Sequence, residues 1–164
     1  NKLNLNCYGL DQSSEAIEIN QKKFKKYQKK FIESDFVKYP FEKIKKNFTI
    51  YSRFTIHSIN KKQEKALFKK IHKLKAIDYL FIEVRTIYDD LFGQGKKLSK
   101  NEFVTSHYRR FINPIELRRE IKKSFTILEY KVAKGLAVYK NENPKVLRII
   151  AKKRVWVLNF YAIF

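Results

Sequence analysis

A chain of 164 residues has room for one domain with one hydrophobic core, and its 44% of hydrophobic residues is enough to build that core. The single cysteine, Cys7, excludes an internal disulfide, and no Cys/His spacing resembles a zinc site. A reducing, cytoplasmic setting without a structural metal is therefore expected. No stretch approaches the roughly 20 apolar residues that a membrane-spanning helix needs.

The net charge of +21, from 37 basic and 16 acidic residues, is the strongest deviation in the composition. Such a charge is typical of proteins that bind nucleic acid or another anionic surface. Here the basic residues are mostly lysines spread along the chain, which favours a general drift in composition. The aromatic residues stand mainly at the spacing of a hydrophobic core rather than between arginine clusters. Nucleic-acid binding is therefore the weaker of two explanations, although it is not excluded.

The first predicted elements are a strand at residues 3–10 and an amphipathic helix that begins after Ser13. Ser13 is a favourable N-cap, and Glu15 lies in the first turn, where the helix dipole stabilises a negative charge. A short strand is expected at residues 31–34. Side chains at spacings of three and four are expected to point inward: Ala16, Asn20, Phe24, Tyr27 and Phe31.

The centre of the chain continues the alternation of strands and helices. Residues 48–54 alternate between apolar and polar side chains, and residues 78–85 contain the apolar run of a central parallel strand. Asn60, with Gln63 three residues later, has the pattern of a capping box at the start of a helix. The apolar face of that helix is predicted to contain Leu67, Ile71 and Leu74.

A long polar connection, residues 86–111, leads to a helix that starts at Asn113, with Pro114 in its first position. Connections longer than about 15 residues inside a compact domain are usually functional. The chain is then expected to close as a hairpin around residues 141–144, from strands at residues 125–130, 136–139 and 146–151. This order of elements predicts an α/β fold with a mostly parallel sheet.

Ligands bind at the carboxyl ends of the strands in such a sheet, so the residues that follow each strand are candidates for a site. Asp11 ends the first strand, where a carboxylate accepts hydrogen bonds from the hydroxyls of a ribose. Capping of the following helix is an equally good explanation of Asp11. Asp35 and Phe36 follow the second strand, where an acid binds an adenine amino group and a ring flanks the base.

Five segments stand in an informative order: residues 8–16, residues 34–36, residues 51–59, residues 83–85 with 107–111, and residues 135–137 with 144–152. In this order they resemble the motifs of class I S-adenosylmethionine-dependent methyltransferases. They are most similar to a small-molecule subgroup that is often associated with surface-polysaccharide gene clusters. The resemblance divides the chain into a partial methyltransferase domain, residues 1–153, and an apolar tail without family motifs, residues 154–164.

The resemblance implies S-adenosylmethionine as the cofactor and a Rossmann-like sheet with a C-terminal antiparallel hairpin. The first strand of the family and its glycine-rich loop are expected upstream of Asn1 and are missing from this sequence. The implied activity is methyl transfer to a small acceptor that is anionic or linked to a sugar, impaired in such a fragment. An inactive truncated product and a basic nucleic-acid-binding module are the alternatives. The implied cofactor-binding residues are Asp11, Gln12, Asp35, Phe36, Ser52 and Arg53.

By analogy with the family, His57 follows the fourth family strand close to the transferred methyl group. It is either a general base or a hydrogen-bonded structural histidine. Glu83 and Arg85 point to the same side of a strand, so they either orient an acceptor or form a satisfied ion pair. Arg53 either contacts the cofactor carboxylate or pairs with Glu83. Because arginine binds phosphate or carboxylate through two nitrogens, the acceptor site is expected to include Arg85, His107, Tyr108 and Arg109.

Overall fold

The computed structural model describes residues 5–154, and the chain divides into two compact units, Asn1–Lys43 and Ile44–Phe164. The predicted apolar tail therefore lies outside the described residues, apart from Arg154. In the first unit, two short parallel strands flank one helix: β1 (Gly9–Asp11), α1 (Ser14–Lys23) and β2 (Phe31–Glu33).

Helix α1 begins as predicted but ends earlier than its expected apolar stripe. The Ser13 hydroxyl accepts a hydrogen bond from the backbone N–H of Ala16 over 3.2 Å. The helix stops at Phe24, whose backbone leaves the helical region, and a short 3-10 helix follows. Because the period of 3.6 residues is lost there, Phe24 and Tyr27 are exposed, and the buried residue of α1 is Ile17. The predicted inward stripe is therefore wrong at Phe24 and Tyr27, whereas its other three members, Ala16, Asn20 and Phe31, are half-buried.

The second unit begins with a strand–helix–strand segment: β3 (Phe48–Arg53), α2 (Lys61–Lys73) and β4 (Ile77–Arg85). Strands β3 and β4 pair in parallel. The capping box of α2 is present, because Asn60 and Gln63 each accept a hydrogen bond from the backbone N–H of the other. The three residues predicted for its apolar face, Leu67, Ile71 and Leu74, are buried, and so are Glu64 and Phe68.

The long polar connection contains a small antiparallel sheet of its own: β5 (Lys96–Ser99), β6 (Glu102–Val104) and β7 (Tyr108–Arg110). Three phenylalanines pack edge to face beneath it, with ring centroids 5.4 to 5.9 Å apart: Phe92, Phe103 and Phe111. These rings give the connection a core, so its backbone conformation is fixed.

Helix α3 (Pro114–Ile121) starts at Asn113, whose side chain accepts hydrogen bonds from the next turn as predicted. A hairpin of β8 (Phe125–Ala133) and β9 (Val146–Lys153) closes the described chain. The predicted strand at residues 136–139 is wrong. Positive φ angles at Gly135 and Lys140, 79° and 51°, turn the chain out of the extended conformation on both sides of it.

The four longer strands form one sheet in the order β3-β4-β9-β8. The α/β class is confirmed, but the sheet is mixed rather than mostly parallel, because β9 lies antiparallel to both β4 and β8. The centre of the core includes Val84, Leu147 and Ile149, which have no exposed surface. Among residues 5–154, no helix has the length and apolar character needed to cross a membrane.

Candidate functional site

Asp11 and Asp35 follow two neighbouring parallel strands. Asp11, the last residue of β1, pairs in register with Glu33, the last residue of β2, two positions before Asp35. The backbone N–H of Ser34 donates a hydrogen bond to the carbonyl oxygen of Asp11 over 2.8 Å and holds the two strand ends together. The two acids therefore lie at one edge of a small parallel sheet, as the sequence predicts.

The side chain of Asp11 is exposed and does not cap the helix. Its Oδ1 accepts a hydrogen bond from the N–H of Ser13 over 2.9 Å, which closes a tight turn, and Ser13 itself is the N-cap. Gln12, between them, is also exposed. Asp11 therefore does not cap the helix, because Ser13 does. Since its side chain is exposed, the Asp11 carboxylate is accessible to a ligand.

The loop after β2 orders the second acid in a similar way. Asp35 Oδ1 accepts a hydrogen bond from the N–H of Val37 over 2.9 Å, and Lys38 Nζ lies 3.7 Å from Asp35 Oδ2. Phe36 is half-buried beside it. The backbone around Asp35 is thus fixed by local hydrogen bonds, while the carboxylate stays partly accessible.

A second group of predicted residues lines an open cleft of about 330 Å³ in the second unit, beyond the carboxyl ends of β3 and β4. We call it the arginine cleft. Ser52 is half-buried and, by strand alternation, points to the opposite side of β3 from Arg53. The polar and charged residues that line the cleft are Arg53, His57, Arg85, Arg109, Tyr139 and Glu142.

His57 lies in a short 3-10 turn, Ile56–Ser58, directly after β3. Arg110 of β7 holds this turn, because its Nε donates to the Ile59 carbonyl over 2.7 Å and its Nη2 to the Ile56 carbonyl over 3.2 Å. The same guanidinium pairs with Glu64 on α2. The position of His57 therefore depends on the long connection.

The environment of His57 favours the neutral imidazole. Burial, followed by the positive charges of Arg109, Arg85 and two further basic residues, lowers the pKa of His57 to about 4. Its Nδ1 is buried without a hydrogen-bond partner among residues 5–154. A structural histidine is expected to satisfy a buried ring nitrogen, so this geometry favours a role in the cleft.

Glu83 is buried between two arginines and is not paired with Arg85. Arg53 Nε donates to Glu83 Oε1 over 2.9 Å, and Arg148 binds Oε2 through Nε and Nη2 over 2.9 and 2.5 Å. Arg148 also donates to the carbonyl of Leu136 over 2.8 Å. Because Arg53 and Arg148 satisfy both carboxylate oxygens through charge-assisted hydrogen bonds, the expected ion pair between Glu83 and Arg85 is not formed. The geometry favours pairing of Arg53 with Glu83 over a cofactor contact.

Arg85 ends β4 with its guanidinium almost fully buried. Its Nη1 donates to Asp89 Oδ1 over 3.1 Å, and its Nη2 contacts Glu142 Oε2. Asp89 Oδ2 in turn accepts a hydrogen bond from the N–H of Lys145 over 2.8 Å. The buried Asp89 therefore fixes one side of the Arg85 guanidinium, and the exposed Glu142 contacts its other side.

Of the three residues predicted at the end of the long connection, Arg109 lines the cleft. His107 is exposed, with Nε2 2.7 Å from Arg109 Nη2 and Nδ1 3.0 Å from Ser106 Oγ. Burial and the carboxylate of Glu102 raise the pKa of Tyr108 to about 12. Tyr108 thus remains protonated at neutral pH, and His107 supports Arg109 from the solvent side.

No protein-family model and no curated protein matches this sequence. Solved structures do match. The PH0226 protein of Pyrococcus horikoshii OT3 is 13% identical and covers 93% of this chain and 74% of its own, with a TM-score of 0.69. An S-adenosylmethionine-dependent methyltransferase of Clostridium acetobutylicum, also 13% identical, covers 91% and 75% with a TM-score of 0.64.

A methyltransferase of the same cofactor class from Methanosarcina mazei is 14% identical, with 89% and 81% covered and a TM-score of 0.69. The glycopeptide N-methyltransferase MtfA, solved with S-adenosyl-L-methionine, is 10% identical, with 93% and 79% covered and a TM-score of 0.62. The chain has the fold of these methyltransferases. At such identities the likeness is one of fold, so residue roles have to be argued from the site itself.

Several residues that line the arginine cleft or hold its side chains in place were not predicted from the sequence. Glu64 carries a detectable signal, because an acid three positions before Leu67 on an apolar helix face needs a buried partner. Asp89 and Glu142 carry no such signal, since both lie in segments without periodicity. Among residues 5–154, no group of three or more His, Cys, Asp and Glu side chains is placed to hold a metal ion.

Proposed function

We propose that this protein is an S-adenosylmethionine-dependent methyltransferase with a small acceptor that is anionic or linked to a sugar. One observation carries the proposal: Asp11 ends β1, and Asp35 lies two residues beyond the end of the adjacent parallel strand β2, in a fold shared with methyltransferases of this cofactor class. An acid at the end of the first strand binds ribose hydroxyls, and an acid after the second binds the adenine amino group.

The residues of the first unit fit the adenosine portion of the cofactor. The exposed carboxylate of Asp11 has acceptor capacity beyond its single hydrogen bond to Ser13. Phe36 supplies an apolar surface next to Asp35, and Gln12 is exposed beside Asp11. The fit does not extend to a glycine-rich loop, since Gly9 is the only glycine in residues 5–43. The resemblance assigns Ser52 and Arg53 to the same cofactor, and Arg53 is already engaged by Glu83.

Once bound, S-adenosylmethionine supplies an electrophilic methyl group on a sulfonium sulfur. The residues of this chain then have to hold an acceptor in line with that methyl group and take up its proton. We assign proton uptake to His57, whose Nδ1 has no hydrogen-bond partner among the described residues. Arg85 and Arg109 attract the anionic part of the acceptor, and Glu83 acts as a positioning residue for Arg53. The proposed setting is the cytoplasm.

The test is cofactor binding by calorimetry, with S-adenosylmethionine and its product S-adenosylhomocysteine as ligands. It uses residues 1–164 and, in parallel, a chain extended by the coding sequence upstream of Asn1. Saturable binding of either ligand by either chain supports the proposal. If both folded chains ignore both ligands at millimolar concentration, the proposal is wrong.

A surface of the first unit favours nucleic-acid binding as a second candidate function. Lys30 Nζ lies 5.9 Å from the ring centroid of Tyr8 and 5.4 Å from that of Tyr27, and both rings are exposed. Lys23 contacts the exposed ring of Phe24 in the same way. Lysines interleaved with exposed rings are typical of surfaces on which single-stranded bases stack.

This candidate predicts that single-stranded RNA binds at low ionic strength and is released as salt is raised, because counterions are displaced from the phosphates. Fluorescence anisotropy with a labelled oligonucleotide measures both effects. A Tyr27→Ala variant is expected to weaken binding, whereas a Tyr130→Ala variant, which alters a ring in the second unit, is not. Undetectable or salt-independent binding excludes the candidate.

A further inference from the structure

The arginine cleft contains one acidic side chain that is much more exposed than the cation it contacts. Glu142 has a side chain that is 61% exposed, whereas the side chain of its partner Arg85 is 9% exposed. Arg85 keeps a second, buried partner in Asp89 at 3.1 Å. Loss of Glu142 from this position therefore leaves the contact between Arg85 Nη1 and Asp89 intact but leaves Nη2 without a carboxylate.

The segment that carries Glu142 is a small closed turn. The N–H of Tyr139 donates to the Glu142 carbonyl over 3.0 Å, and the N–H of Glu142 donates to the Tyr139 carbonyl over 2.9 Å. Lys140 inside the turn has a positive φ of 51°, which is strained for a residue with a Cβ. Both Tyr139 and Glu142 are exposed. The carboxylate of Glu142 therefore lies at the cleft while it is still solvated, and residues 138–143, which carry it, are exposed.

Arg109 has spare hydrogen-bonding capacity for an anion, because its Nε is buried without a partner among the described residues. His57, a neutral neighbour, also has an unpaired ring nitrogen, Nδ1. Burial and the charge of Arg85 lower the pKa of Arg109, while Glu142 and Asp89 act in the opposite direction. Arg53, by contrast, is already paired with Glu83. Arg85 and Arg109 carry two positive charges, which Asp89 and Glu142 balance, so departure of Glu142 leaves one positive charge of this pair unmatched.

We propose that Glu142 occupies the position of an anionic group of the ligand, a carboxylate or a phosphate, and is displaced from Arg85 when that group binds. The ligand anion then contacts Arg85 Nη2 and Arg109, and the Tyr139–Glu142 turn moves away from the cleft. Identification of this ligand with the methyl acceptor rests on the proposed function, but the anion site itself does not.

The experiment titrates inorganic phosphate and acetate into the folded chain and follows binding by calorimetry and by the arginine side-chain ¹⁵N resonances. Glu142→Gln is expected to bind at least one of the two probes about 2- to 5-fold more tightly than the unsubstituted chain, because an internal competitor is removed. Asp90→Asn is the matched control. It removes the same charge from an exposed aspartate that pairs with Lys134, and it is expected to leave binding unchanged.

Arg109→Gln is expected to weaken binding about tenfold, because a charge-assisted hydrogen bond is lost. Arg119→Gln, which removes a guanidinium from an exposed position on α3, is its control. Arg109→Lys keeps the charge, and it replaces Arg109→Gln if that variant does not fold. Equal effects of Glu142→Gln and Asp90→Asn overturn the proposal, as does unchanged binding in the Arg109 variant, because both indicate adventitious binding of the ions.

The two probes are neither cofactor nor methyl acceptor, so this result is separate from methyl transfer. If the chain does not bind S-adenosylmethionine but shows the predicted pattern with phosphate or acetate, the anion site is supported and the proposed function is wrong. If the chain binds the cofactor but Glu142→Gln and Asp90→Asn have equal effects, the proposed function is supported and the displacement of Glu142 is wrong.

Discussion

Arg110 and Glu64 form an ion pair in which both side chains are almost completely buried, with Nη2 2.5 Å from the carboxylate. The pair joins β7 to the apolar face of α2, and the same guanidinium binds the backbone on both sides of His57. The long connection between β4 and α3 is therefore part of the scaffold of the arginine cleft.

This pair predicts a large loss of stability when one partner is neutralised. Glu64→Gln keeps the volume but replaces the carboxylate with a neutral amide, so the buried Arg110 guanidinium loses its counter-charge. We expect the free energy of unfolding to fall by about 3 kcal/mol, as for other buried pairs that lose one partner. Urea unfolding measures it. Glu18→Gln, at an exposed pair with Lys22, is the control, and an equal effect of both variants contradicts the structural role.

Two glycines of the long connection provide a matched pair for backbone strain. Gly93 and Gly95 have nearly equal φ angles, 87° and 86°. A Cβ added to Gly95 would lie 2.3 Å from the Val104 carbonyl oxygen, whereas a Cβ added to Gly93 would have no other atom within 4 Å. Gly93→Ala is expected to cost about 1 kcal/mol for the left-handed backbone. Gly95→Ala is expected to cost at least about 1 kcal/mol more, because β6 has to shift.

Thermal or urea unfolding of the two variants distinguishes strain from collision. Since β6 pairs with β7, a shift of β6 also disturbs Arg109, so Gly95→Ala is expected to weaken phosphate binding while Gly93→Ala does not. Indistinguishable stabilities for the two variants would show that the close approach of residues 95 and 104 is wrong.

The depressed pKa of His57 predicts a specific dependence of stability on pH. Below about pH 6.5 the unfolded chain binds a proton at this histidine, while the folded chain does not until about pH 4. The free energy of unfolding therefore falls as the pH falls through this window, by roughly 3 kcal/mol for a shift of this size. His57→Gln removes the contribution, so the difference between variant and parent should grow towards pH 4.

The imidazole proton shifts of His57, followed by NMR, check the same prediction directly. A midpoint near pH 6.5 in the folded protein contradicts the burial and the clustered positive charge.

Local signals in the sequence predicted local structure well. Ser13, Asn60 and Asn113 all cap helices as expected, because a cap needs only the next three residues. The adjacency of Asp11 and Asp35 also followed from chain order. In contrast, the position of β9 between β4 and β8 depends on pairing between strands that are distant in the sequence. The strand predicted at residues 136–139 does not form, because the residues on both sides of it, Gly135 and Lys140, have positive φ angles.

The charged contacts of the site were the least predictable part. Arg85 meets Glu142 across 57 positions of the chain, and Arg110 meets Glu64 across 46. Neither spacing has a local signature, because the partners are brought together by the sheet and by α2. The expected link between Glu83 and Arg85 was plausible from strand alternation, but Arg53 and Arg148 reach Glu83 instead.

The most direct test of the central claim is the affinity of the upstream-extended chain for S-adenosylhomocysteine, compared between the parent protein and Asp11→Asn. If Asp11 binds the ribose hydroxyls, the substitution weakens binding at least about tenfold, because a charge-assisted hydrogen bond is lost. Glu18→Gln, an exposed acid on the adjacent helix, should leave the affinity unchanged. Equal affinities of the parent and Asp11→Asn would contradict the account.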